Sequence, residues 1–94
     1  KWNDERRRTV EQFDFIVQIP VGIHARPAML LSKEAARFQS RIQIQNGPVK
    51  ANAKNMASLL TLRAYQGDNV HFLIEGEDEQ EAAEALREFC NNNL

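Results

Sequence analysis

Residues 41–52 read Arg41-Ile42-Gln43-Ile44-Gln45-Asn46-Gly47-Pro48-Val49-Lys50-Ala51-Asn52. Over Arg41–Gln45 apolar and polar residues alternate, with Ile42 and Ile44 on one face, which is the period of a half-buried strand. Asn46-Gly47 is a strong short turn signal. Val49 and Ala51 then alternate with Lys50 and Asn52. The stretch predicts an antiparallel hairpin with Ile42, Ile44, Val49 and Ala51 inward. Toward the N-terminus the period changes. From about Ala25 to Phe38, Ala28, Leu31, Ala35 and Phe38 fall on one helical face, with Lys33, Glu34 and Arg37 elsewhere on the cylinder. Pro27 suits the first turn, where its missing N–H removes no helical bond. Before it, Pro20-Val21-Gly22 ends a period-two run in which Phe13, Phe15, Val17 and Ile19 alternate with Asp14, Ile16 and Gln18.

On the other side of the hairpin, Met56–Arg63 reads as a short helix with Met56, Leu59, Leu60 and Leu62 on its apolar side and Asn55 placed to cap it. Gln66-Gly67-Asp68-Asn69 is a turn, and Val70, Phe72 and Ile74 alternate with His71, Leu73 and Glu75 as a last strand. Asp78, with Glu81 three residues on, has the spacing of a capping box. Ala82, Ala85, Leu86 and Phe89 give the stripe of a final helix. The order is β-α-β-β-α-β-α. Four strands with one apolar face need cover, and three one-sided helices supply it. The predicted fold is therefore α/β, of the α+β kind: an open-faced two-layer β-sandwich, with a mainly antiparallel four-stranded sheet and three helices on one face. Residues 1–11 show no apolar period and read as a flexible N-terminal extension. Residues 12–94 read as one domain.

Composition narrows the function. The chain has 94 residues, 43% of them hydrophobic and 27% charged, which suits one folded core and excludes disorder or low-complexity repeats. Its uninterrupted apolar runs, such as Ala28–Leu31 and Phe72–Ile74, are too short to span a bilayer. The charged opening does not read as a secretory signal. One cysteine, Cys90, supports neither an internal disulfide nor a zinc cluster, so a cytoplasmic home is expected. Net charge is −1, unevenly spread. Residues 1–8 and 9–74 are mildly basic, whereas in residues 75–94 Glu75, Glu77, Asp78, Glu79, Glu81, Glu84 and Glu88 face Arg87 alone. That asymmetry turns the middle of the chain toward an acidic partner or a phosphate. Nucleic-acid binding would need a larger basic excess with interleaved aromatics.

The chemistry concentrates in Gly22-Ile23-His24-Ala25-Arg26-Pro27-Ala28. A glycine turn ends a strand, and a histidine stands where a helix begins. The first helical turn leaves backbone N–H groups unpaired, and their partial positive charge favours anions over imidazolium. A histidine held there should stay neutral near pH 7 and keep a lone pair, as a nucleophile requires. A phosphoryl group accepted by that nitrogen would meet the same N–H groups, and Arg26 could add a planar, charge-assisted fork. Phosphoryl transfer asks for little more than positioning and neutralisation. On these residues alone, a solvated histidine beside an arginine is the plain alternative.

The run GIHARPA resembles the active-site segment of the HPr family, the histidine-containing phosphocarriers of the bacterial phosphoenolpyruvate-dependent phosphotransferase system. The element order from Phe13 to Leu94 is similar to that family's, as is Lys54-Asn55-Met56 through Leu62 followed by Gln66-Gly67-Asp68. The resemblance implies that His24 is phosphorylated on Nδ1 by enzyme I and passes the group to a IIA-type domain in sugar transport. It implies that Arg26 faces the phosphate and that Ala25, Met29 and Met56 make apolar partner contacts. Flexible methionines suit a surface that receives several partners. The chain would be a covalent relay with no cofactor and no metal, not an enzyme, and a monomer. Many relatives carry a kinase-regulated serine where this sequence has Asn55, which caps a helix but takes no phosphate. The alternative is a regulatory interaction module of a nitrogen-type or catabolite-control branch, whose phosphorylation state tunes a kinase or transcription factor. A structural domain with no transfer role is the third reading.

Other chemically capable residues have plainer readings. Ser58 is expected on the solvent side of its helix. His71 should face away from the core on a solvated sheet surface, and it lacks a second metal ligand at suitable spacing. Cys90 is expected to pack. The acidic run Glu75–Glu84 suits the start of the last helix, and Arg6-Arg7-Arg8 reads as a solvated leader.

Overall fold

A computed structural model describes residues 10–94. The element order is β1 (Glu11–Ile16), α1 (Ala25–Ala36), β2 (Arg41–Asn46), β3 (Val49–Asn52), α2 (Met56–Leu60), β4 (Asn69–Glu75) and α3 (Glu79–Asn93). The strands form one four-stranded sheet in the order β1-β4-β2-β3, with every neighbouring pair antiparallel. The predicted α+β open-faced sandwich is the observed one. The expected leader falls mostly on residues 1–9, outside the described residues. β1 takes in Glu11, which pairs with Ile74.

The inner sheet face carries Val70, Phe72 and Ile74 from β4 and Ile42 and Ile44 from β2, all buried. Phe13 lies directly opposite Phe72, with ring centroids 4.5 Å apart and planes 8° from parallel. Ala28, Leu31 and Ala35 of α1, Leu59 of α2, and Ala82, Ala83, Leu86 and Cys90 of α3 close over this face. Arg87 of α3 lays its guanidinium 5.0 Å from the Phe13 ring centre, so α3 covers β1 as well. Removing this apolar surface from water is the main force holding the two layers together.

Local corrections have identifiable causes. The hairpin turn is Gly47-Pro48, not Asn46-Gly47: Asn46 pairs with Val49, and Gly47 has φ +61°, as the first position of a two-residue hairpin loop can require. Val49, expected inward, is 37% exposed, because it lies beside the turn on an edge strand. β1 stops at Ile16 instead of running to Ile19, since the Gln18 and Ile19 amides leave β4 and donate to the Leu94 carbonyl at 2.6 and 2.9 Å. α1 ends at Ala36 and α2 at Leu60, short of Phe38 and Arg63. In both, the next amides bond three residues back: Phe38 to Ala35, Thr61 to Ser58, Leu62 to Leu59. Such tightening ends an α-helix.

Asp78 stands at the N-cap of α3, but its carboxylate makes no cap bond there. It accepts instead from the Gln39 and Ser40 amides, each at 2.9 Å, and from the Ser40 hydroxyl. Two main-chain donors and a hydroxyl outcompete the capping box, and the Asp78 carboxyl is held below its usual range chiefly by the Ser40 hydroxyl, then by the Gln39 amide. Asp78 thereby staples the α1–β2 turn to the start of α3.

Candidate functional site

The His24 segment is built by two contacts. Gly22 has φ +78°, a left-handed conformation that glycine adopts freely. A β-carbon there would strike the Ala64 carbonyl oxygen and lie 2.9 Å from Tyr65 Cα. Next to it, buried Ile23 donates its amide to the Ala64 carbonyl at 2.8 Å. The chain leaving α2 therefore fixes the chain entering α1.

His24 is the N-cap of α1, with extended backbone (φ −127°, ψ −153°), and its carbonyl accepts the Ala28 amide at 2.8 Å. Its side chain makes no capping bond and is exposed. Ala25 and Arg26 occupy the first turn, where their amides have no helical acceptor, and Pro27 contributes no N–H. His24 borders a cleft of about 420 Å³, together with Val21, Leu60, Thr61, Arg63 and Tyr65, over buried Ile23. Among the described residues no carboxylate lines it. An exposed imidazole, free first-turn amides and an acid-free wall make a place for an anion bound to that ring.

The other expected residues distribute unevenly. Arg26 and Ala25 are exposed on the first turn of α1, and Met29 is 39% exposed farther along it. Met56 is half-buried and packs against the core. Asn55 caps α2 as expected, its Oδ1 accepting the Ser58 amide at 3.1 Å. Ser58 departs from expectation: it is half-buried, and its hydroxyl accepts the Asn52 amide at 3.0 Å, tying α2 to β3.

No sequence pattern marks Val21, Leu60, Thr61, Arg63 and Tyr65 as neighbours of His24. Helical periodicity carries α2 to Arg63, whereas the helix stops at Leu60 and the segment after it turns toward His24. Gly22 is the available signal, since a glycine beside a reactive residue marks close backbone approach.

His71 lies on the open sheet face as expected, Nδ1 2.9 Å from Asp14 Oδ1 and Nε2 2.9 Å from Gln12 Oε1. That contact, then the Asn69 side-chain amide, holds the Asp14 carboxyl below its usual range. Cys90 is fully buried, and burial pushes its thiol up to about 12, in keeping with packing. Among the described residues no cluster of His, Cys, Asp or Glu could hold a metal ion, and no helix is long and apolar enough to cross a membrane.

The sequence matches the family described as PTS HPr component phosphorylation site over residues 11–92. The chain belongs to the HPr family. Its relatives include phosphocarrier protein HPr of Mycoplasma genitalium, 34% identical over 89% of this chain and 97% of the relative. Among solved structures, HPr of Thermoanaerobacter tengcongensis superposes with a TM-score of 0.84 at 32% identity, covering 88% of this chain and 93% of the other. The catabolite repression protein Crh of Bacillus subtilis, whose crystal structure is a swapped dimer, gives a TM-score of 0.71 at 36% identity over 85% and 92% of the chains. Membership of the HPr family makes this chain a phosphocarrier of the phosphotransferase system, not a catalyst with turnover of its own.

Proposed function

We propose that His24 is the phosphorylated residue, accepting a phosphoryl group on Nδ1 from phosphorylated enzyme I and passing it to a IIA-type domain in sugar transport. The supporting observation is the exposed His24 ring, uncommitted to any cap bond, at the start of α1 beside a cleft with no carboxylate. In the forward step the Nδ1 lone pair attacks phosphorus, the bond from phosphorus to the donor atom breaks, and that atom keeps the electron pair. Nothing is oxidised or reduced, and the reverse of this step delivers the group to the acceptor. The Ala25 and Arg26 amides and the Arg26 guanidinium receive the phosphoryl oxygens. Ala25, Met29 and Met56 supply apolar contact to partners, the first two exposed and Met56 half-buried.

The carrier unit begins at Glu11, the first residue of β1, and acts as a monomer in the cytoplasm. Incubation with phosphoenolpyruvate and enzyme I adds one acid-labile, base-stable phosphate, and H24A abolishes it. A phosphate on any other residue, or none, refutes the assignment. Light scattering reports the monomer, and a dimer of the swapped kind refutes that part.

The likeness to Crh favours a second reading, in which the same surface tunes a regulator. A regulator that binds H24A as well as it binds the parent supports that reading over the relay. A serine kinase with ATP leaves position 55 unlabelled under either.

A further inference from the structure

We infer that Arg63 is a second phosphate-facing side chain, sharing with Arg26 the charge of the phosphoryl group on His24. The inference rests on the carrier reading and adds a residue to it.

Arg63 has φ +48°, and it is the one residue other than glycine with positive φ among the described residues. The position follows a helix end, where the left-handed conformation is usual but glycine or asparagine usually fills it. The helix end accounts for the positive φ, and an arginine there carries a conformational penalty that glycine would not. Its placement does suggest a use. The left-handed turn redirects the chain after α2, and the next residue, Ala64, is gripped by the Ile23 amide at 2.8 Å. Arg63 is thereby delivered to the wall of the cleft that His24 borders. It is exposed and forms no ion pair with any described carboxylate, and the cleft holds no acid to neutralise it.

Arg26 and Arg63 come from different elements, the first turn of α1 and the turn closing α2. A histidine-bound phosphoryl group carries up to two negative charges, and two guanidiniums, each able to fork onto two oxygens, match them. Against mere solvent exposure stand the shared cleft and the strained backbone. Against a role confined to partner docking stands the cleft that Arg63 and His24 both line.

R63G separates these roles, because glycine accepts positive φ and keeps the fold. Potassium phosphoramidate labels His24 without a protein donor, and the ³¹P shift is then titrated. Loss of Arg63 raises the midpoint by roughly half a pH unit or more, because a cation near the phosphoryl group has been removed. Transfer from phosphorylated enzyme I slows roughly ten-fold, the worth of one charge-assisted hydrogen bond, and R63K, which keeps the charge without the fork, recovers part of both effects. An unchanged midpoint in R63G overturns the inference, whether transfer is normal or slowed, since slowing alone is partner docking. A parent protein that takes no phosphate on His24 overturns the carrier reading itself, and is read before any variant is made.

Discussion

Ile23 donates its amide to the carbonyl of Ala64 at 2.8 Å, so the residue before His24 and the residue after Arg63 are held by one main-chain bond. The geometry of the site therefore depends on backbone packing at a distance in sequence, and the side chains that act there are passengers on it.

Gly22 is the position where that packing is least forgiving. G22A places a methyl group against the Ala64 carbonyl at φ +78°, so the two segments must part. The expected loss is about 1–3 kcal/mol, read as a lower urea midpoint, with slower His24 phosphorylation. Unchanged stability would show that the segments separate freely.

Arg26 has no described hydrogen-bond or ion-pair partner and is exposed. R26A therefore leaves stability within about 0.5 kcal/mol of the parent. Transfer slows by roughly ten- to a hundred-fold, the worth of a charge-assisted contact. Thermal unfolding and initial rates on one preparation check both.

Acid sensitivity follows from Asp78. Its carboxyl is held below the ordinary 3.8 by the Ser40 hydroxyl and the Gln39 amide. The folded state thus binds its proton less readily than the unfolded state. The stabilisation is fully present above the unfolded value and is lost as pH falls through the folded one. Urea midpoints of the parent decline from about pH 5 downward. D78N starts about 1 kcal/mol lower at neutral pH and declines less steeply, keeping the part due to Asp14, which is lowered by its contact with His71. Parallel curves would remove Asp78 from this account.

Asn55 tests the helix cap apart from regulation. N55A loses the bond to the Ser58 amide and about 1 kcal/mol. N55S retains a capping oxygen and stays within about 0.5 kcal/mol of the parent, as denaturant midpoints would record.

Cys90 is closed to reagents in the folded protein, with its thiol pushed up to about 12 by burial. A disulfide reagent at neutral pH modifies it at the rate of unfolding, and rapidly in urea. Rapid modification of the native chain would contradict its burial.

Much of this was legible in the sequence because burial writes itself as period. Ile42 with Ile44, and Val70 with Phe72 and Ile74, can face one way only if they are strands, and Ala28, Leu31 and Ala35 only if they are a helix. His24 and Arg26 were legible as a pair of residue types at a helix start. What escaped depends on contacts between distant segments. Asp78 has the spacing of a capping box, yet it serves Gln39 and Ser40, because the end of α1 happens to arrive beside it. Arg63 fits a helical period, yet it lies beyond the helix, and its place beside His24 follows from the grip on Ala64.

The strand order has a consequence for synthesis. β4 sits between β1 and β2, so the two earlier halves of the sheet share no ladder until Asn69–Glu75 exists. While the chain is still emerging, only the β2–β3 hairpin can pair locally, and the apolar side of β1 waits unmatched for a partner encoded late. The ribosome must therefore release the Asn69–Glu75 strand before the two halves of the sheet can be joined.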